Sequence, residues 1–451
     1  MKPQPVMADG RNPKEPESND WVSHGRRALE TLSFRTAALP VSFVVTIVTS
    51  RYLLPDGRGA FALGLLTVTL GSTLLSIGTA VTRELGRNEE SVESVVRRGL
   101  VLSIVLGSLG ALILLPIGMA TSEAHYRSAE LLVLGLPLLL IRQTIGGSLI
   151  ALGRLRLFNI LLFLDPAALL CGLLVLVVGY DLGISGAVIA WFAATAVTTT
   201  VALAGTRDLW WSRANRIAQS ARTRAILSLG LKAGLVNLVA LINYRVEFFL
   251  LRAWHNLGDV GVYSLSISLA ELLWLLSASV TTVVVAPTIS LDEERAVDIV
   301  AQTVRHALIL TTAFGAGLAA IAWFAVPVVY GHEFSGARLP LLLLIPGIIA
   351  YSPASVLSAY FSMRHGQMRY PMIVAGVSAV VNALVCIALV KPLGASGAAL
   401  ASTAGYAVGS ALLLAMFFRA GKTGAAHVVP RTADVLAYRD LALSLRSRVV
   451  R

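Results

Sequence analysis

The stretch Ala225–Leu251, AILSLGLKAGLVNLVALINYRVEFFLL, decides how the rest of the chain is read. It is apolar and long enough to cross a bilayer, which takes about 20 residues at a rise of 1.5 Å each. Yet it carries Lys232, Asn237, Asn243, Arg245 and Glu247. Ionisable groups inside a span are costly and mark a pathway or a paired structural site. At about 100° per residue, Lys232, Asn243 and Glu247 lie within roughly 60° of one another and Arg245 points almost opposite. A helix with a polar face running much of its length belongs beside a wet cavity.

The whole chain has the same character. Of 451 residues, 56% are hydrophobic and 14% charged. That balance excludes an ordinary soluble domain and indicates an integral membrane protein. The net charge of +12 does not indicate nucleic acid, because the positive charges sit between apolar runs. The two cysteines, Cys171 and Cys386, both fall within apolar runs far apart in sequence, which excludes a disulfide framework and a CxxC metal site. The histidines lack metal spacing. No phosphate-binding loop, nucleophile elbow or carboxylate pair in a soluble cleft is found, so neither an enzyme nor a cofactor is expected.

Twelve apolar runs follow one another, at about 29–50, 60–82, 99–119, 130–152, 158–180, 184–205, 225–251, 260–286, 305–329, 338–361, 371–391 and 395–418. The expected fold is an all-α integral membrane protein with about twelve transmembrane helices in two six-helix lobes. The first lobe covers 29–206 and the second 225–418. Residues 1–28 are polar and expected to be a disordered cytoplasmic tail, with no small-residue cleavage site marking a signal peptide. Residues 207–224 are a basic linker and 419–451 a basic tail. In that tail Val435, Tyr438, Ala442, Leu445 and Val449 follow helical spacing, which suits either a helix on an anionic leaflet or a solvated tail. Both tails, the linker and the loops after alternate runs carry most of the lysine and arginine. The opposite side receives only Arg51, Arg58, Arg127, Arg252, Arg338 and Lys391. Both termini are therefore expected in the cytoplasm of a bacterial inner-membrane protein.

The chain repeats itself. Gly59-Ala-Phe-Ala-Leu63 returns as Gly261-Val-Tyr-Ser-Leu265, and Leu182-Gly-Ile-Ser-Gly-Ala-Val-Ile-Ala190 as Leu393-Gly-Ala-Ser-Gly-Ala-Ala-Leu-Ala401. Val96-Arg97-Arg98 pairs with Val304-Arg305-His306, and Pro137 with Pro346. An even number of runs per unit relates the lobes by an axis along the membrane normal, with the substrate site expected at the lobe interface. The same alignment pairs Arg35 with Lys232, each one to two turns inside the cytoplasmic face.

These residues also carry a family resemblance. Arg51-Tyr-Leu-Leu-Pro-Asp-Gly-Arg-Gly-Ala-Phe-Ala-Leu63 resembles the loop after the first span of polysaccharide-export flippases. Val260-Gly-Val-Tyr-Ser-Leu265, with Ala286-Pro287 and Ser290, resembles their eighth span. Glu247 stands where many members carry Asp. The family is the polysaccharide transporter branch of the multidrug/oligosaccharidyl-lipid/polysaccharide exporter superfamily, which includes O-antigen-type flippases. The resemblance implies two lobes that rock to pass lipid-linked oligosaccharide from the inner to the outer leaflet for polysaccharide biosynthesis. Implied partners are membrane lipid, the lipid-linked saccharide, glycosyltransferases and a polymerase, and no nucleic acid.

For that task the candidate substrate-binding residues are Arg35, Lys232, Asn237, Asn243 and Arg245. Cations would attract the diphosphate and amides would bond sugar hydroxyls. Glu247 and Glu271 are candidates for ion coupling, although Glu271 also suits a structural partner of Arg245. Arg142 and Asp165, at similar depth in neighbouring runs, are expected to form a structural pair. A cation-coupled multidrug antiporter of the same superfamily is the competing reading, and a saccharide-polymerising membrane enzyme a third. Arg35 in the first run weighs against the antiporter, where a carboxylate would suit cationic drugs. The missing large extramembrane loop weighs against the enzyme.

Overall fold

The computed structural model describes residues 18–87, 91–121, 123–211, 220–284, 288, 291–421 and 423–434. Its helices, in chain order, are α1 (Ser18–Leu75), α2 (Ile77–Arg87), α3 (Val92–Thr121), α4 (Leu136–Ala151), α5 (Leu155–Leu173), α6 (Gly183–Gly205), the short α7 (Arg207–Trp210) and α8 (Ser220–Trp254). They continue with α9 (Leu257–Ala270), α10 (Leu272–Val284), α11 (Glu293–Tyr330), α12 (Arg338–Ala359) and α13 (Arg369–Ala420). No strand is present among the described residues.

Nine helical segments among the described residues, rather than twelve, are long and apolar enough to cross a membrane. The difference has a physical origin. Thr36–Arg87 and Arg369–Ala420 each run 52 residues, about 78 Å at the α-helical rise, more than twice a hydrocarbon core of about 30 Å. Each is broken, at Leu54 (φ 59) and at Gly394 (φ 54). α8, at 35 residues, carries the ionisable groups quoted above and is not among the nine. The outer surface is apolar: Leu112 on α3 is 70% exposed and Phe324 on α11 74%, as lipid-facing side chains should be.

The core divides in two. Val68, Leu132, Leu136 and Leu140 centre one cluster of the first lobe, and Ile77, Val81, Ile145 and Leu149 another. In the second lobe Tyr263, Leu265, Leu341 and Ala398 pack together, and Val300, Val304, Tyr360 and Phe417 form a further cluster. The repeat is visible in backbone geometry. Gly183 and Gly394, equivalent in the nine-residue match, both take φ +54, a left-handed conformation that favours glycine.

The second repeated motif joins the lobes. We call the end of the bundle that holds the Leu54 break and the α8–α9 turn the upper end. There Gly59 lies against the Leu257 carbonyl, and a Cβ on it would stand 2.0 Å from that oxygen. Gly261 lies against the Pro55 carbonyl, where a Cβ would stand 1.9 Å away. Each glycine thus covers the carbonyl four residues before the other, a symmetric crossing about the repeat axis. Arg51 strengthens this end by donating to the carbonyls of Val328 (Nη2) and Val329 (Nε, 2.7 Å) at the carboxyl end of α11, where the helix dipole favours a cation. Arg252 pairs with Glu123 across the lobes at 3.0 Å. α9 itself starts on a cap: the Asn256 side chain accepts from the Asp259 amide at 2.9 Å.

Further down, Gly230 and Gly234 of α8 press on the carbonyls where α1 ends and α2 begins. A Cβ at Gly234 would sit 1.8 Å from the Leu74 oxygen. The spacing is that of a small-xxx-small helix contact.

The expected tails and linker are more structured than anticipated. Helix α1 begins at Ser18, inside the segment expected to be disordered, while residues 1–17 lie outside the described residues. In the linker, Arg154 grips Asp208 of α7 through two hydrogen bonds, 3.0 and 2.5 Å. Those bonds hold the Asp208 carboxyl below the usual carboxylate range. After α13 the chain turns back: Val428 is buried and Arg305 of α11 donates to Asp434 at 2.8 Å and to the His427 carbonyl at 2.6 Å. The stripe from Val435 to Val449 lies outside the described residues.

The upper crossing tolerates no side chain. Gly59→Ala and Gly261→Ala should each destabilise the protein by about 1–3 kcal/mol, the range for overpacking, and lower its Tm in detergent. Gly317→Ala and Gly376→Ala, where a Cβ meets nothing within 4 Å, should leave the Tm unchanged or slightly raised.

Candidate functional site

Two cavities lie one above the other along the bundle. The lower has a volume of about 800 Å³, and Thr73, Ser76, Arg83, Arg142, Gln143, Asp165 and Asn237 supply much of its polar lining. The upper, of about 400 Å³, is lined by residues of both lobes, among them Thr46, Arg58, Arg245, Ser264, Ser268 and Glu271. The two share no lining residue. On α1 the upper cavity ends at Thr69 and the lower begins at Thr73. On α5 the boundary falls between Leu169 and Asp165, and on α8 between Leu241 and Asn237. Each step is four residues, about 6 Å of helix, so three helices place the division at one level.

The lower cavity owes its shape to a break in the helix. Ser76 sits between α1 and α2 at φ 23, and its hydroxyl donates to the Thr73 carbonyl at 2.5 Å. Asn237 on α8 reaches that hydroxyl at 3.4 Å, and Gln143 donates to Ser72 at 3.1 Å. Arg142 on α4 and Asp165 on α5 form an ion pair. Thr198 of α6 donates to the same carboxylate at 3.3 Å. The pair faces the cavity, with Arg142 30% and Asp165 39% exposed, so it is not confined to packing. Arg83 is exposed at the rim.

The upper cavity holds a second pair. Arg245 on α8 meets Glu271, at the α9–α10 junction, through two contacts of 2.8 and 3.2 Å. Of the two, the Nη2–Oε2 contact is the hydrogen bond, and the Nη1–Oε1 approach is an ion-pair contact only. Arg58, in the first turn after the Leu54 break, is 7% exposed. Its Nη1 donates to the Thr46 carbonyl (3.0 Å), Thr49 (3.0 Å) and Ser50 (2.8 Å), and its Nε to Ser264 of the other lobe at 3.0 Å.

The face of α8 that lines the cavities is Asn237, Leu241, Arg245 and Phe248, a stripe at helical spacing. Lys232 lies on the opposite face. It is exposed and lines neither cavity, so the polar face picked out in the sequence is not the one turned to the void. Glu247 also points away from the cavities. It is fully buried in the second lobe, where its Oε1 accepts from Asn382 at 2.7 Å and Ser402 at 2.5 Å. Tyr263 bonds Ser402 at 3.0 Å, and Glu247 Oε2 has no hydrogen-bond partner among the described residues. The side chains of Arg35 and Asn243 lie outside the described residues.

Sequence reasoning missed Arg58, which it counted among the loop charges between the first two apolar runs. A signal was present. The equivalent position in the second repeat is Val260, so a charge stands where the sister copy is apolar, inside the most strongly repeated contact motif. Among the described residues, no group of three or more His, Cys, Asp and Glu side chains is placed to hold a metal ion.

A family model described as polysaccharide biosynthesis protein matches residues 28–291. No curated protein matches the sequence. Among solved structures, the chain resembles the lipid II flippase MurJ in an inward closed conformation, with a TM-score of 0.71 at 15% identity, over 89% of this chain and 88% of that one. It resembles an inward-facing multidrug resistance MATE transporter of the MOP superfamily with a TM-score of 0.65 at 17% identity, over 88% of this chain and 98% of that one. A MOP superfamily transporter from Pyrococcus furiosus, described by the reverse polarity of its binding pocket, matches with a TM-score of 0.59 at 15% identity, over 88% and 95% of the two chains. At these identities the likeness establishes the fold, which is that of MOP superfamily transporters.

Arg245 and Glu271 each neutralise a charge that the cavity wall would otherwise carry alone. Glu271→Gln or Arg245→Met should therefore destabilise the protein, by less than the roughly 3–5 kcal/mol of a fully buried pair because the side chains are 24% and 26% exposed. The double variant should be less destabilised than the sum of the two, which a double-mutant cycle of melting temperatures in detergent would measure.

Proposed function

The chain belongs to the polysaccharide biosynthesis protein family, and from that premise we propose that it carries lipid-linked oligosaccharide across the membrane by alternating access of its two lobes. The observation that carries this reading is the charge of the stacked cavities. The upper holds Arg58 and Arg245 against Glu271; the lower holds Arg83 and Arg142 against Asp165. Both are net positive among their described lining residues, which suits an anionic headgroup and disfavours a cationic drug. Hydroxyl and amide groups in the lower cavity suit sugar hydroxyls, whose transfer through hydrocarbon would leave hydrogen bonds unmade.

In this proposal the lower cavity faces the cytoplasm, with both termini on that side, and receives the saccharide while the polyprenyl tail stays in lipid. Twelve crossings in two lobes, 29–206 and 225–418, frame the path. Asn237 and Arg245, on the cavity face of α8, contact substrate. Arg35, Lys232 and Asn243 are retained only as contributors to the approach of the anion. Arg142 and Asp165 act as a pair that opens when phosphate competes for the guanidinium. Glu247 is assigned to ion coupling: a carboxylate sealed from water, without a cation at ion-pair distance among the described residues, is costly to ionise unless a proton or a small cation accompanies it. Glu271 keeps its bond to Arg245 until the anion arrives. Glycosyltransferases and a polymerase are the partners such a transporter would serve.

Deleting the gene tests this against the multidrug reading. The deletion should abolish surface polysaccharide and accumulate lipid-linked oligosaccharide in the inner leaflet. A copy carrying Arg142→Ala or Glu247→Gln should reach the membrane at normal abundance without restoring export. Unchanged polysaccharide together with new sensitivity to cationic dyes would establish the antiporter instead.

A further inference from the structure

We propose that Arg58 is the anion-binding residue of the upper cavity and that the anion's arrival unlatches the upper seal. The inference rests on the transport reading above and adds to it a residue and a trigger. The ligand is a phosphate or diphosphate ester.

The first argument is charge. Arg245 is met by Glu271 and Arg142 by Asp165, but every group that Arg58 bonds is neutral: one carbonyl and three hydroxyls. A buried cation is ordinarily paired. Arg58 also stands in the first turn of the helix that restarts after Leu54, where the helix dipole disfavours positive charge. Among the described residues the fold supplies no anion at a place that strongly calls for one. The second argument is geometry. Arg58 lines the upper cavity, and its Nη2 takes no hydrogen bond among the described residues, whereas Nε and Nη1 are engaged. Nη2 is thus available to a ligand, and releasing Nε from Ser264 would complete an edge that matches two phosphate oxygens.

The third argument connects the site to the seal. Ser264 is the one group Arg58 bonds in the opposite lobe, and its hydroxyl donates in turn to the Gly261 carbonyl at 2.7 Å. Gly261 and Gly59, the residue after Arg58, make the tight crossing above the cavity. An anion that turns the guanidinium toward itself draws Nε from Ser264 and removes the polar tie directly beneath that crossing. The device is in one lobe only, because the repeat counterparts of Arg58 and Ser264 are Val260 and Ala62.

The test uses the full chain in phosphatidylcholine nanodiscs with farnesyl diphosphate as probe. The wild type should be thermally stabilised by the probe and not by farnesol, and inorganic diphosphate should compete. Arg58→Gln should weaken binding at least tenfold, Arg58→Lys less, and Ser264→Ala should leave it within about twofold. Spin labels at Tyr52→Cys and Glu333→Cys should report a change in upper-end separation on adding the probe to the wild type, and none in Arg58→Lys. If Arg58→Gln does not fold, Arg58→Lys with normal affinity and a normal label response would overturn the proposal. Wild-type affinity in a folded Arg58→Gln would overturn it while leaving the transport reading intact. A wild type that ignores the diphosphate probe would overturn both. Equal stabilisation by added phosphatidylglycerol would assign the site to ordinary phospholipid and overturn the trigger.

Discussion

The structure depends on one constraint: two backbones crossing with no room for a side chain between them. Gly59 and Gly261 each lie against the carbonyl four residues before the other. Only glycine permits that approach, and only a true duplication would place two such glycines symmetrically. The crossing fixes the lobes to each other at one end. Below it the lobes keep some apolar contact, with Leu66 of α1 packed among Phe248 and Tyr263, yet leave cavities between them. Arg51 on the α11 carbonyls and Arg252 on Glu123 add directional bonds at the same end. Such bonds can be exchanged without repacking a core, as a part that opens requires.

Charge is distributed in a matching way. Each cavity has one arginine–carboxylate pair bridging two helices and one arginine without a carboxylate partner among the described residues. The pairs keep the walls stable when no ligand is present, since a lone cation in a narrow cavity is costly. The unmatched arginines set the sign of the path. Arg83 at the exposed rim and Arg58 under the seal define its two ends, some 25 residues apart along the same stretch of chain, or about 37 Å at helical rise. Glu247 is kept apart from this path, on the far side of α8 and inside the second lobe. An ion bound there would act on the position of α8 rather than on the substrate directly.

Much of this was legible in the sequence. Apolar length predicted helices, and the repeated motifs predicted a two-fold arrangement that Gly183 and Gly394 express in the same positive φ. The family resemblance rested on the same Gly59 motif that makes the crossing. What could not be read was which side of a polar helix faces the void. Lys232, Glu247 and Arg245 all lie on α8, and helical geometry separates their directions without saying which direction is wet; that depends on how the neighbouring helices pack. Arg58 was hidden for a similar reason. Pro, Asp and Gly before a cation ordinarily mean an exposed turn, and only the opposite lobe buries this one. At Leu54 and Gly394 one helix kinks into the next without an intervening loop, so apolar runs and separately bounded helices differ in number.

The stacked cavities and their access from opposite ends are tested most directly by two cysteines one helical turn apart. In a background with Cys171 and Cys386 replaced, Thr73→Cys lines the lower cavity and Thr69→Cys the upper. A membrane-impermeant maleimide applied to vesicles that expose the cytoplasmic face should label Thr73→Cys and spare Thr69→Cys. Equal labelling of the two from that side, or labelling of Thr73→Cys only from the opposite side, would contradict a divided path that opens inward.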